Sequence, residues 1–190
     1  MCRKKNGFFD MADTKEQFEG VIKMCRNVYE NKLKDYSPSW RIMRPESVTD
    51  QILIKAKRIR SLEIKKESKI GEGVKPEFIG IVNYGIIGII QLRLGFADDV
   101  DISVAKALEM YDLYMTETKE LMYAKNHDYD DAWKLMRINS YTDLILTKLN
   151  RIKEIENNAG QVSVSEGIDA NYQDIINYAL FGLIKLTYSV

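Results

Sequence analysis

The sequence predicts an all-α protein in which two tandem three-helix repeats form a pseudo-two-fold helical bundle. Three observations lead to this fold class. The chain repeats itself, apolar residues recur at helical spacing in both copies, and the last helix of each copy is apolar almost all round. We expect residues 1–13 to form a leader, residues 14–96 the first repeat and residues 97–190 the second, within one compact globular unit.

The duplication appears when the chain is compared with itself at a shift of 93 residues. Between Cys25 and Glu63, 15 of 39 positions are identical to their partners. Farther along, at a shift of 94, the segment GEGVKPEFIGIVNYGIIG aligns with SEGIDANYQDIINYALFG. A repeat this long indicates two copies of a small fold rather than a solenoid.

The first two helices of each repeat follow from spacing and capping signals. The first helices are predicted over residues 14–34 and 102–126, where apolar side chains recur every three or four positions. The second helices are predicted to begin near Ser47 and Ser140, because Ser-x-x-Asp is a capping-box pattern. Between the repeats, the connector GFADDVDIS is expected to cap the next helix at Asp99 or Asp101.

The third helices are predicted over residues 77–94 and 171–188. The segment IGIVNYGIIGII is also compatible with a buried strand, because it is rich in isoleucine and glycine. The second copy favours a helix, since Gly85 becomes Ala179 and Ile86 becomes Leu180, which are better helix formers. We expect the two repeats to pack through these apolar helices.

Composition limits the classes of partner. With 28 basic and 28 acidic residues the chain has no net charge, so we expect no nucleic-acid partner. The most apolar window is short for a membrane span and contains Asn83, and the basic start has no apolar run behind it. Two cysteines, Cys2 and Cys25, and one histidine, His127, favour no disulfide framework or metal site. We therefore expect a cytoplasmic protein, as a monomer or a homodimer, without a membrane partner.

Two lysines are the most informative residues. Lys55 and Lys148 interrupt the apolar stripes of the second helices, where an unpaired ammonium would cost several kcal/mol. Each is followed one turn later by an arginine, Arg58 or Arg151, and a converging Lys and Arg can hold a phosphate. The alternative is that these cations pair with acids of their own repeat, such as Asp35 or Glu72, and only stabilise the fold.

Other residues that recur in both repeats each have two interpretations. Trp40 and Trp133 could form an aromatic wall for a base or belong to the core. Asp50 and Asp143 could be capping acids or ligand contacts. The amide of Asn83 could bond to its twin Asn177 or recognise a ligand, because a buried amide needs partners.

Acidic metal-binding patterns are weak. The pairs Glu16/Glu19 and Glu117/Glu120 could hold Mg²⁺, but they do not align under the repeat, which favours solvated helix faces. A third possibility is a Mg²⁺-dependent phosphohydrolase that uses Asp128, Asp143 and Asp174. The sequence has no glycine-rich phosphate loop, and it names no catalytic residue, resident metal or cofactor.

Both copies carry one ordered pattern: Lys-x-x-Asp-Tyr, then Trp, Arg, Ser-x-x-Asp, Ile-x-x-Lys-x-x-Arg, and Asn-Tyr on an apolar helix. This pattern resembles the nucleotide modification associated domain 1 family, and the tandem form is similar to the version found in Bacteroidetes. The resemblance covers residues 14–188 and implies an α-helical domain linked by association to modified-nucleotide metabolism. A more distant likeness is to MazG-like all-α pyrophosphohydrolases, but the chain lacks their paired acidic motifs.

These observations lead to two main functional hypotheses. The first is a protein that binds a nucleotide or another phosphate-bearing small molecule, and the second is a non-catalytic helical scaffold or partner-binding module. Because Asp174 has only Gly80 opposite it, the second copy is predicted to hold the more complete site. The candidate ligand-binding residues of the second copy are Lys125, Asp128, Tyr129, Trp133, Arg137, Asp143, Lys148, Arg151, Asp174, Asn177 and Tyr178. Those of the first copy are Lys32, Asp35, Tyr36, Trp40, Arg44, Asp50, Lys55, Arg58, Asn83 and Tyr84.

Overall fold

The computed structural model describes residues 11–66, 71, 73–129, 131–158, 160–161 and 166–188. This part of the chain contains α-helices, two short 3-10 helices and no strand, which confirms the all-α fold class. The helices are α1 (Met11–Tyr36), α2 (Pro45–Lys65), α3 (Lys75–Leu94), α4 (Val104–Tyr129), α5 (Ile138–Asn157) and α6 (Ile168–Tyr188). The first 3-10 helix is Ser39–Ile42 and the second is Ala132–Leu135. Residues 1–10 of the predicted leader lie outside the described residues.

The two repeats pack as a pseudo-two-fold pair, with α3 against α6 and α2 against α5. A β-carbon at Gly88 would lie 2.7 Å from the ring of Tyr172, and one at Gly182 would lie 3.0 Å from Phe78. Gly88 aligns with Gly182 and Phe78 with Tyr172, so this is one contact made twice. The two glycines let the central helices approach closely.

The contact between α2 and α5 is reciprocal as well. Asp50 accepts a hydrogen bond from Lys153 at 3.0 Å, and Asp143 accepts one from Arg60. The repeat aligns Asp50 with Asp143 and Arg60 with Lys153. All four side chains are between 41% and 64% exposed, so each pair stabilises the fold by about 0 to 1 kcal/mol.

Beside these ion pairs lie two partly buried glutamates. Thr49 donates a hydrogen bond to Glu156 at 2.6 Å, and its counterpart Thr142 donates one to Glu63 at 2.9 Å. Burial raises the pKa of both carboxyl groups, although the threonine bonds act in the opposite direction. The interface between the repeats therefore holds the same threonine and glutamate pair twice.

The capping-box prediction is wrong. The N-caps of α2 and α5 are Arg44 and Arg137, in extended backbone and without a side-chain capping bond. Both predicted serines lie inside the first turn. In α2 the cause is Pro45, because proline is favoured at the first helical position and forces the residue before it into an extended conformation.

The predicted cap at Asp99 or Asp101 is also wrong. The hydroxyl of Ser103 accepts a hydrogen bond from the N–H of Lys106 at 3.1 Å, which is the bond an N-cap residue makes. Asp101 instead accepts two hydrogen bonds from Arg41, at 2.7 and 3.0 Å. The connector is therefore tied back to the first repeat.

The central position of α3 explains its apolar composition. Among the described residues, α3 is the one helix long and apolar enough to cross a membrane, and 67% of that stretch is buried inside the protein. Packing on both sides accounts for its nearly all-round apolar surface.

Candidate functional site

The charged cluster of the second repeat joins its three helices. Lys148 of α5 lies 2.6 Å from one carboxylate oxygen of Asp174 in α6, and Lys125 of α4 lies 2.9 Å from the other. The side chain of Lys148 is 13% exposed and that of Asp174 is 11% exposed, whereas that of Lys125 is 46% exposed. One carboxylate thus holds two ammonium groups, an inner one and an outer one.

The first repeat has a related cluster with different partners. Glu77 of α3 contacts Lys55 at 3.5 Å and accepts a hydrogen bond from Arg58, and both cations belong to α2. The ammonium of Lys55 also lies 5.7 Å from the ring centre of Tyr84. A β-carbon at Gly80 would lie 2.8 Å from the Lys55 side chain, so this lysine occupies space that a larger residue would take.

Lys55 and Lys148, the lysines that interrupt the apolar stripes of the second helices, are therefore mostly buried and paired within their own repeat. The partners named in the sequence analysis were Asp35 and Glu72, but the observed partner of Lys55 is Glu77. Asp35 is exposed, and Glu72 lies outside the described residues.

The acidic residue that binds the lysine lies one helical turn later in the second repeat than in the first. Glu77 aligns with Asn171, and Gly80 aligns with Asp174. Each third helix keeps one acid near its beginning, on the face towards the stripe lysine. The shift changes which cations the acid can reach, because residues three apart on a helix lie one above the other.

Charge and burial compete at Asp174. Burial alone would raise the pKa of its carboxyl, but hydrogen bonds from Lys148 and Lys125 outweigh burial and hold that pKa below its usual range. Burial would lower the pKa of Lys125, yet its bond to Asp174 raises it. Asp174 and Lys125 are therefore ionised at neutral pH.

Tyr178 lies among these charges. Burial raises the pKa of its hydroxyl, and the charge of Asp174 adds to this effect. Lys125 and Arg151 lower that pKa and Glu166 raises it, so the charges of all three groups act on the tyrosine. Lys125, Lys148, Arg151, Asp174, Glu166 and Tyr178 are called the second-repeat cluster below.

Both tryptophans belong to the core. Trp40 is 8% exposed and Trp133 is 5% exposed. Trp133 stacks on Phe181 with ring centres 4.7 Å apart and donates a hydrogen bond to Asp131 at 3.2 Å. Of the two readings for these residues, the structure supports the core and not the aromatic wall.

The two asparagines differ in their partners. Asn83 donates a hydrogen bond to the carbonyl of Cys25 at 3.1 Å and accepts one from Tyr111 at 2.8 Å. The counterpart of Tyr111 is Phe18, which has no hydroxyl, and the Oδ1 atom of Asn177 is buried without a partner. The two amides therefore do not bond to each other.

The acids proposed for Mg²⁺ do not come together. Asp128 is 79% exposed beside His127, Asp143 pairs with Arg60, and Asp174 is held by lysines. In the described ranges, no group of three or more His, Cys, Asp or Glu side chains is placed to hold a metal ion. The glutamate pairs of α1 and α4, Glu16/Glu19 and Glu117/Glu120, belong to no such group either.

Several other candidates lie outside the clusters. Tyr36 is 68% exposed at the end of α1, and the side chain of Tyr129 falls outside the described residues. The exposed candidates are Lys32, Asp35, Arg44, Asp50, Asp128, Arg137 and Asp143.

Sequence reasoning missed Glu77 as the partner of Lys55 and Arg41 as a buried structural residue. Arg41 is 2% exposed and bonds to Asp101, to Gln91 and to the carbonyl of Gly95 at 2.6 Å. A signal was present for each. Glu77 is the one acidic residue of α3, which is mostly apolar, and Arg41 has a basic counterpart, Lys134, in the second repeat.

A separate recess of about 230 Å³ lies between the end of α3 and the beginning of α6. Its lining residues are Leu92, Arg93, Gly160, Ile168 and Asp169. None of them belongs to the predicted site.

A comparison with protein families identifies both repeats. A family model described as nucleotide modification associated domain 1 matches residues 32–92 and 125–186, which together are more than half of the chain. The two segments fall in the two repeats, so the match also supports the duplication. No curated protein and no solved structure matches the chain.

Proposed function

Because the chain belongs to the nucleotide modification associated domain 1 family, we propose that it binds a phosphate-bearing nucleotide at the second-repeat cluster. The observation that carries this proposal is the pair of ammonium groups, Lys125 and Lys148, on the single carboxylate of Asp174. One carboxylate neutralises only one of the two lysines, so positive charge remains for a ligand.

The outer cations are the groups that meet the phosphate. Lys125 is about half exposed and Arg151 is exposed, so both can contact a ligand without moving a helix. Asp174 keeps Lys148 inside and orients Lys125 towards solvent. Tyr178 offers a ring beside the charged groups for a base or sugar to contact.

The second repeat is the better site. In the first repeat Glu77 also holds two cations, but Lys55 is 23% exposed and Arg58 is 26% exposed, whereas Lys125 is 46% exposed. The counterpart of Lys125, Lys32, is exposed on α1 and does not contact Glu77. The first cluster thus resembles a structural ion pair more than a binding site.

The test is a thermal shift measured against nucleoside mono-, di- and triphosphates. Binding to the folded state raises the melting temperature by mass action, so millimolar ligand is expected to stabilise the wild type. Lys125→Met removes an exposed ammonium and is expected to abolish the shift. Lys32→Met is the matched control in the first repeat and is expected to keep it. The absence of a shift with every nucleotide would contradict the proposal.

A scaffold role is the second candidate, and the reciprocal ion pairs between α2 and α5 support it. Under that role the clusters only join helices. Lys148→Met together with Asp174→Leu would then leave a folded protein of similar stability, because replacing a buried ion pair by apolar side chains is often neutral. A scaffold would show no ligand response in the wild type.

A further inference from the structure

We infer that the ligand of the second-repeat cluster carries a single phosphate group, as a nucleoside monophosphate does, and not a chain of phosphates. This inference rests on the proposed function, because it specifies the ligand of that same site.

The exposure of the cations favours a compact ligand. Lys148 is 13% exposed and stays on Asp174, whereas Lys125 is 46% exposed and Arg151 is exposed. Two cations of the cluster therefore face the solvent. Two oxygens of one phosphate can accept from such a pair, whereas a chain of phosphates needs cations spread along its length.

The charge of the cluster also favours a single phosphate group. Lys125, Lys148 and Arg151 carry three positive charges, and Asp174 and Glu166 carry two negative ones, so one positive charge is in excess. A phosphate monoester carries about −1.5 to −2 at neutral pH. A monophosphate leaves little charge unbalanced, whereas each added phosphate increases the imbalance.

The groups that triphosphate sites use differ from those of this cluster. Proteins commonly offset the added charge of a triphosphate with Mg²⁺ held by carboxylates, or with a glycine-rich loop over the phosphates. The sequence has no such loop, and the part of the chain that the structure describes has no group of acids and histidines placed for a metal. The carboxylate at the centre of the cluster is already bound by two lysines.

The experiment is calorimetric titration of the full chain with one deoxynucleoside and its 5′-mono-, di- and triphosphate, at neutral pH with a chelator. The monophosphate is expected to bind at least tenfold more tightly than either the nucleoside or the triphosphate. Tighter binding of the triphosphate, or equal binding of the nucleoside, would overturn the inference and leave the proposed function standing. If no compound of the series binds, both the monophosphate inference and the proposed nucleotide binding are contradicted.

Two variants connect the preference to the cluster. Lys125→Met is expected to reduce monophosphate affinity at least tenfold, towards that of the nucleoside. Lys32→Met, at the aligned position of the first repeat, is expected to keep the wild-type preference. The reverse result, with Lys32→Met losing the preference, would overturn the assignment to the second repeat.

Discussion

At the scale of single residues, duplicated positions have kept their identity but not always their partners. Asn83 and Asn177 occupy the same place in the two repeats, yet only Asn83 receives a hydrogen bond from a tyrosine, Tyr111. The residue that aligns with Tyr111 in the other repeat is Phe18, which has no hydroxyl, and the amide oxygen of Asn177 is buried without a hydrogen-bond partner. A buried acceptor without a donor costs free energy, so the second repeat is locally less satisfied.

This difference leads to a test of stability. Tyr111→Phe is expected to lower the free energy of unfolding by about 1 to 3 kcal/mol, because it leaves the oxygen of Asn83 buried and unpaired. Chemical denaturation measures the change. Tyr123→Phe is the control on the same helix, since the hydroxyl of Tyr123 is buried without a partner and its removal is expected to cost little. Equal losses in the two variants would contradict the explanation.

At the scale of helices, the packing of α2 on α5 places two glutamates in a partly buried layer. Burial raises the pKa of Glu63 and of Glu156 above the usual value of 4.5. A raised pKa means that the folded state binds the proton more tightly than the unfolded state. This contribution to stability is present below about pH 4.5 and is lost as the pH rises through the raised pKa.

Glu156→Gln is the corresponding test. At pH 7 the variant is expected to be more stable than the wild type by about 0.5 kcal/mol, because it avoids a partly buried charge and its amide oxygen still accepts from Thr49. Unfolding curves at several pH values should show that this gain disappears towards pH 4. A gain that is the same at every pH would point to packing rather than ionisation. Glu16→Gln, on an exposed part of α1, is the control.

At the scale of the whole molecule, the pseudo-two-fold arrangement has two clusters that differ by one helical turn. In the first repeat the acid binds two cations of the same helix, and in the second it joins α4 to α5. We expect one ligand per chain for this reason. The duplication has kept the framework of the charged cluster twice, but Lys125 of the second cluster is more exposed than either cation bound by Glu77.

Exchange of the acid tests this assignment. Glu77→Asn combined with Gly80→Asp gives the first repeat the acid position of the second, and the flexible Lys55 side chain can move aside for the new β-carbon. Calorimetric titration with a monophosphate is expected to give a stoichiometry of two for this variant and one for the wild type. A stoichiometry of one for a folded variant, checked by circular dichroism, would contradict it.

How much could be predicted from the sequence follows from the range over which each signal acts. Helix type and order, the duplication and the burial of Lys55 and Lys148 were predictable, because spacing along one helix determines which side chains share a face. The N-caps of α2 and α5 were predicted wrongly, and in α2 the reason is that Ser-x-x-Asp does not reveal that the helix already begins at Pro45. The partner of Lys55 was missed because strict alignment of the repeats pairs Glu77 with an asparagine.

The amino-acid sequence by itself determined that this protein is a pair of related three-helix units, since periodicity and repetition are properties of the chain alone. Only the tertiary structure decided that Asp174 receives lysines from two helices while Glu77 binds cations of one. The physical reason is that the rotation and spacing of neighbouring helices determine which charges meet. A shift of one turn on α3 or α6 changes the partners without changing the helical pattern.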